Sequence, residues 1–101
     1  MEYTSNRQKK IEERKALQLE TILEKKRHAA EERWTNAQIK AAGFQSVLDY
    51  AVEQYSEHKE ELEEEVITKT EEMIKERQSE IETFLMAEKD AYLEAMGIQA
   101  D

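Results

Sequence analysis

The sequence predicts an all-α protein: a long antiparallel helical hairpin of coiled-coil character that assembles into a helical bundle. Three observations predict it. The 101 residues include no proline and only two glycines, so the residues that most disfavour a helix interior are nearly absent. Charged residues make up 39% of the chain and apolar residues another 39%, a balance that suits paired helices with a thin seam better than a thick core. Much of the chain is Ala, Glu, Lys, Leu, Gln and Met, which lose little side-chain freedom on a helix. A chain of this length has room for one domain. Two helices alone bury little apolar surface, so partner helices are expected to add to its stability.

The first helix is expected over about residues 6–42. Ser5 and Gln8 form a capping box, in which hydroxyl and amide each satisfy an orphaned N–H. Gly43 reads as the C′ residue of a Schellman motif, with Phe44 at C″ touching Ile39 at C3. A turn at about 43–46 follows. Ser46 then caps a second helix over about residues 47–96, with Asp49 in its first turn where the helix dipole favours an anion. Gly97 repeats the first stop signal, with Ile98 at C″ and Leu93 at C3. The helices would be about 55 and 75 Å long. A second start signal lies inside the first helix: Thr35 with Gln38 as a capping box, and Trp34 with Ile39 as a hydrophobic staple. It predicts a kink near Trp34 as the alternative to a continuous helix.

Both segments carry apolar stripes at spacings of three and four. A short turn makes them antiparallel neighbours. Folding at Gly43 pairs residues whose numbers sum to about 89. Trp34 then meets Tyr55, Leu23 meets Val66 and Ala37 meets Val52, and the expected seam is Leu19, Leu23, Trp34, Val52, Tyr55, Leu62 and Val66. This register also sets Lys25, Lys26 and Arg27 against the acidic run at 60–65. It thereby accounts for the uneven charge: ten Lys/Arg against seven Asp/Glu before Gly43, and five against seventeen from Gly43 onward, within a net charge of −9. The second helix outruns the first. Its uncovered end, Phe84, Leu85, Met86, Tyr92, Leu93, Met96 and Ile98, is the expected interface with a second copy (a dimer first) or with another protein.

Catalytic chemistry is not expected. There is no cysteine, hence no disulfide, thiolate site or thiol nucleophile. A helical di-metal site needs Glu-x-x-His on two helices, but Lys25 and Tyr55 stand three residues before His28 and His58. Consecutive acids such as Glu63, Glu64 and Glu65 point in different directions on a helix. No cofactor, metal or small-molecule substrate is expected. No apolar run is long enough to span a membrane, and the polar start, Met1-Glu2-Tyr3-Thr4-Ser5, lacks an export signal, so a cytoplasmic location is the expectation.

Three functions remain in order of preference. The first is a non-enzymatic interaction or assembly protein acting by helix–helix packing, as adaptors, scaffolds, chaperones and small inhibitors do. The second is a nucleic-acid-binding accessory protein using Lys9, Lys10, Arg14, Lys15, Lys25, Lys26 and Arg27. It requires that the acidic helix not already neutralise those residues. The 36–50 stretch has a superficial helix-turn-helix outline, but its second helix carries Asp49, Glu53 and Glu57, which phosphate would repel. The third is an acidic mimic that occupies a basic groove on a nucleic-acid-binding protein.

Overall fold

A computed structural model of the chain describes the backbone of residues 2–97 and the side chains of residues 7–97. It consists of two α-helices in antiparallel contact: α1, Glu2–His58, and α2, Glu64–Ala95. A single 3-10 turn, Lys59–Glu61, and two extended residues, Leu62 and Glu63, join them. The described chain measures 90 × 22 × 14 Å. Its long dimension is close to the roughly 85 Å that a helix of α1's length must span.

The hairpin is therefore present, but it folds at a different place. Gly43 lies inside α1 rather than in a turn, and α1 is continuous through Trp34, Thr35 and Ser46. The Thr35 and Ser46 caps and the kink at Trp34 are not formed. Ser5 also lies within α1, which begins at Glu2, so it is not the N-cap. The stripe explains why Gly43 fails to stop the helix. Ala37, Ala41, Leu48 and Val52 form one covered face of α1 that continues across the glycine at spacings of four and seven. Ending the helix at 42 would cut that face in two, whereas keeping a glycine in a helix costs only about 1 kcal/mol.

The actual break falls in the acidic run. Glu57, Glu60, Glu61, Glu63, Glu64 and Glu65 would stand three and four residues apart on a continuous helix, and each such like-charge pair is unfavourable by a few tenths of a kcal/mol. Breaking at Leu62 and Glu63 removes several of these pairs. It also moves Glu64 and Glu65 into the first turn of α2, where the exposed N–H groups favour negative charge. Across the turn, Tyr55 Oη and Lys59 Nζ both donate to Glu71 Oε1, at 3.0 and 3.2 Å.

At the other end of α2 the glycine stop is formed as expected. Gly97 has φ +75°, and its N–H donates to the Glu94 carbonyl at 3.1 Å, the inner bond of a Schellman motif. Ile98, the expected C″ residue, lies outside the described residues.

The new turn resets the register. Arg33 pairs with Glu88, Gln45 with Gln78, and Tyr55 with Glu71. Trp34 stacks on Tyr92 with ring centroids 6.1 Å apart, rather than meeting Tyr55. Ala37, Ala41, Leu48 and Ile81 are buried, and Val52, Ile74, Phe84 and Leu85 pack against the last three. The small Ala37 and Ala41 of α1 share this seam with the larger Ile81, Phe84 and Leu85 of α2, a mix of sizes that lets the helices interdigitate.

In the centre of the seam, Gln45 and Gln78 form a reciprocal amide pair. Each Nε2 donates to the other's Oε1, at 2.8 and 2.9 Å. A slip in register would leave both half-buried amides unpaired, so this pair specifies the alignment as polar residues do in coiled-coil seams.

Candidate interaction surface

Moving the turn exchanges the helix that overhangs. The last residue of α2, Ala95, lies in a shallow depression shared with Lys26, Ala29, Ala30 and Trp34, and no part of α2 accompanies α1 beyond that point. Every position from 7 to 29 is exposed. This arm is about 33 Å of helix.

Its apolar residues are Ile11, Leu17, Leu19, Ile22 and Leu23, between 43% and 62% exposed. Leu19 and Leu23 extend the covered stripe of α1 by the same three-and-four spacing that leads back through Ala30, Trp34 and Ala37. The arm thus carries the seam face onward with nothing lying on it. Eight Lys/Arg and four Glu lie between Arg7 and Arg27. Lys15 and Lys26 fall on one side of the Leu19–Leu23 stripe, and Lys9 and Arg27 on the other.

The residues singled out from sequence divide accordingly. Trp34, Val52, Tyr55 and Leu62 are half-buried along the hairpin seam. Leu19 and Leu23 belong to the free arm. Val66 is 43% exposed and stands outside the seam. The C-terminal end of α2 is not an overhang, because α1 runs alongside it: Phe84, Leu85, Tyr92, Leu93 and Met96 are half-buried, while Met86 is exposed. Ile98 lies outside the described residues. The reason for placing a partner there, an uncovered end, is absent.

The basic residues Lys9, Lys10, Arg14, Lys15, Lys25, Lys26 and Arg27 all lie on the arm and are exposed. They do not face the acidic run at 60–65, which sits at the far end of the hairpin.

Two ionic contacts clamp the hairpin at its ends. At the base of the arm, Arg33 donates two bonds to Glu88, from Nε at 2.7 Å and from a terminal nitrogen at 3.1 Å. Hydrogen bonding from Arg33 holds the Glu88 carboxyl below its usual range, against the opposing effect of desolvation, and raises Arg33 in turn. At the turn, hydrogen bonds from Lys59 and then Tyr55 lower Glu71. The bond to Glu71 raises Lys59. Tyr55 is raised first by desolvation and then by its bond to Glu71.

One side of the hairpin has an open apolar groove of ≈ 700 Å³ lined by Phe44, Val47, Leu48, Ala51, Ile81 and Phe84. Among the described residues, no three His, Asp or Glu side chains converge as a metal site would require. No described helix is long and apolar enough to cross a membrane. Comparison with protein-family models, with curated proteins and with solved structures finds no match for this chain.

Proposed function

We propose that this chain is a non-enzymatic interaction protein whose hairpin serves as a rigid mount for the arm, and that the arm captures a helix of a protein partner. The observation that carries this reading is the continuation of the seam face through Leu23 and Leu19 beyond the end of α2. A partner helix laid on that face would occupy the position that α2 vacates, with the same packing geometry. The flanking Lys9, Lys15, Lys26 and Arg27 favour an acidic partner, since charges beside an apolar seam choose partner and orientation.

The test pairs the seam with the arm. Leu19→Asp and Leu23→Asp should leave the hairpin's helix content and thermal unfolding unchanged while abolishing capture of partners from a lysate of the native source. Retained capture by the double variant would reject the arm as the binding face.

Nucleic-acid binding stands second, favoured by one observation: the arm's cations are not neutralised by α2. Binding of that kind would weaken steeply with salt, each phosphate contact adding about 0.9 to the slope of log K against log salt. Leu19→Asp with Leu23→Asp would only weaken it, whereas Lys25→Ala, Lys26→Ala and Arg27→Ala together would flatten the slope.

A further inference from the structure

The outward side of α1 raises a separate question. Gly43 sits in a regular helix turn, and apart from its chain neighbours and the helix's own backbone no atom lies within 4 Å of where a Cβ would stand. Nothing inside the molecule requires a glycine there, yet it makes the helix less stable than alanine would. Around it, large apolar side chains face solvent: Ile39 is 66% exposed, Val47 70% and Tyr50 64%. At 100° per residue, Ile39, Gly43 and Tyr50 fall within about 40° of one another, roughly half a turn from Ala41 and Leu48, which face α2. The back of α1 therefore carries a second apolar patch, flat at its centre because its middle residue has no side chain.

The net charge of this face differs between its two ends. Toward the N-terminus, Lys25, His28 and Glu32 lie on it; toward the C-terminus, Glu53 and Glu57 do, followed by Glu60 and Glu61 in the turn. Turning a second α1 end for end about an axis through Gly43 brings Ile39 against Val47 and Asn36 against Tyr50. The same rotation brings Lys25 toward Glu61, His28 between Glu57 and His58, and Glu32 beside Gln54. A parallel arrangement would set Lys25 against Lys25 and Glu57 against Glu57. The arm does not show this self-complementarity. Paired with a second arm antiparallel, it would bring Lys9 and Lys10 against Lys25 and Lys26.

We propose that the outward face of α1 is the docking site for a second copy of this chain, antiparallel and centred on a two-fold axis at Gly43. The glycine is the point of closest helix approach, and the isologous contact repeats each pair twice, as two-fold symmetry requires. The two helices cross at the shallow angle of coiled coils, so the charge pairs on either side of the glycine remain within reach. The dimer rests on the reading of the chain as an interaction protein. It leaves both arms free and pointing away from each other, making that protein bivalent.

The chain's lack of cysteine makes the test direct. Ile39→Cys and Val47→Cys chains, mixed and oxidised, should form a disulfide between unlike chains in preference to either like pair; a parallel dimer would give the like pairs. In sedimentation equilibrium the wild type should be a dimer, and Gly43→Leu should raise the dissociation constant at least about 10-fold with helix content unchanged. Lys25→Glu and Glu61→Lys should each weaken the dimer, and the double variant should restore it. A chain that is monomeric at millimolar concentration, or a dimer indifferent to Gly43→Leu, would overturn the proposal. Leu19→Asp with Leu23→Asp should leave the dimer intact, so failure of the arm as a binding face and failure of the Gly43 contact are read separately.

Discussion

Gly97 and Gly43 stand in near-identical local sequences, Met-Gly-Ile-Gln and Ala-Gly-Phe-Gln, yet only Gly97 has positive φ. At Gly43 the backbone is helical and the space beside it open. Gly43→Ala should therefore stabilise the isolated chain by about 0.5–1 kcal/mol in urea unfolding at low protein concentration. A loss of stability would mean that position 43 has a backbone conformation other than helix. Local sequence made the two glycines look alike; what separates them is non-local. The seam face continues past Gly43 to Leu48 and Val52. The clamps Arg33–Glu88 and Tyr55–Lys59–Glu71 were not legible, because a wrong turn position assigns every cross-helix pair wrongly. They make a pH prediction. Glu71 and Glu88 are both lowered in the folded chain, so their stabilisation is present above the ordinary carboxylate range and is lost as pH falls through and below it. Fluorescence of Trp34, which stacks on Tyr92 at the Glu88 end, should report loosening below about pH 4. No change down to pH 2 would show that the clamps contribute nothing to pairing.

Among the elements, the turn departs furthest from expectation. It contains no glycine, proline, asparagine or aspartate, the residues by which turns are recognised. Its signal was the density of acid, visible in the sequence but equally consistent with a solvated helical face. Amphipathic periodicity, by contrast, identified a helical hairpin and much of its apolar content, although it was divided at Gly43 rather than at Leu62 and Glu63. Glu63 is the N-cap of α2 with extended backbone angles, φ −70° and ψ 151°, and makes no side-chain capping bond. Glu63→Ser or Glu63→Asp should supply that bond and raise stability by about 0.5–1 kcal/mol; an unchanged or lower melting temperature would contradict the turn's placement. The Gln45–Gln78 pair makes a different prediction. Replacing both with leucine should increase stability, because the pair becomes apolar and leaves no orphan, but should blur the register. Disulfide trapping between single cysteines on α1 and α2 would show the blurring as several products where the wild type gives one.

The whole molecule is a two-layer object in which, among the described residues, few side chains are buried: Ala37, Ala41, Leu48 and Ile81. Stability is concentrated there, so Ile81→Ala should cost about 2–4 kcal/mol, enough to unfold a hairpin this thin. Removing residues 1–24, in contrast, takes away only exposed positions from Arg7 onward and should leave the melting temperature of the hairpin within a few degrees. A large drop would place the arm in the folded core.

The acidic turn has a consequence for length. Every residue from Lys59 to Glu63 is an acceptable helix former, so what bends the chain there is mutual repulsion rather than a covalent obstacle. Replacing Glu60, Glu61, Glu63 and Glu64 with glutamine removes that repulsion. The two arms of the hairpin can then swing out into one uninterrupted rod of about 140 Å. Small-angle scattering should see the radius of gyration rise from 24.9 Å toward about 40 Å for such a rod, with circular dichroism still fully helical. The chain would then behave as a folding ruler, its reach set by the charge state of a few glutamates.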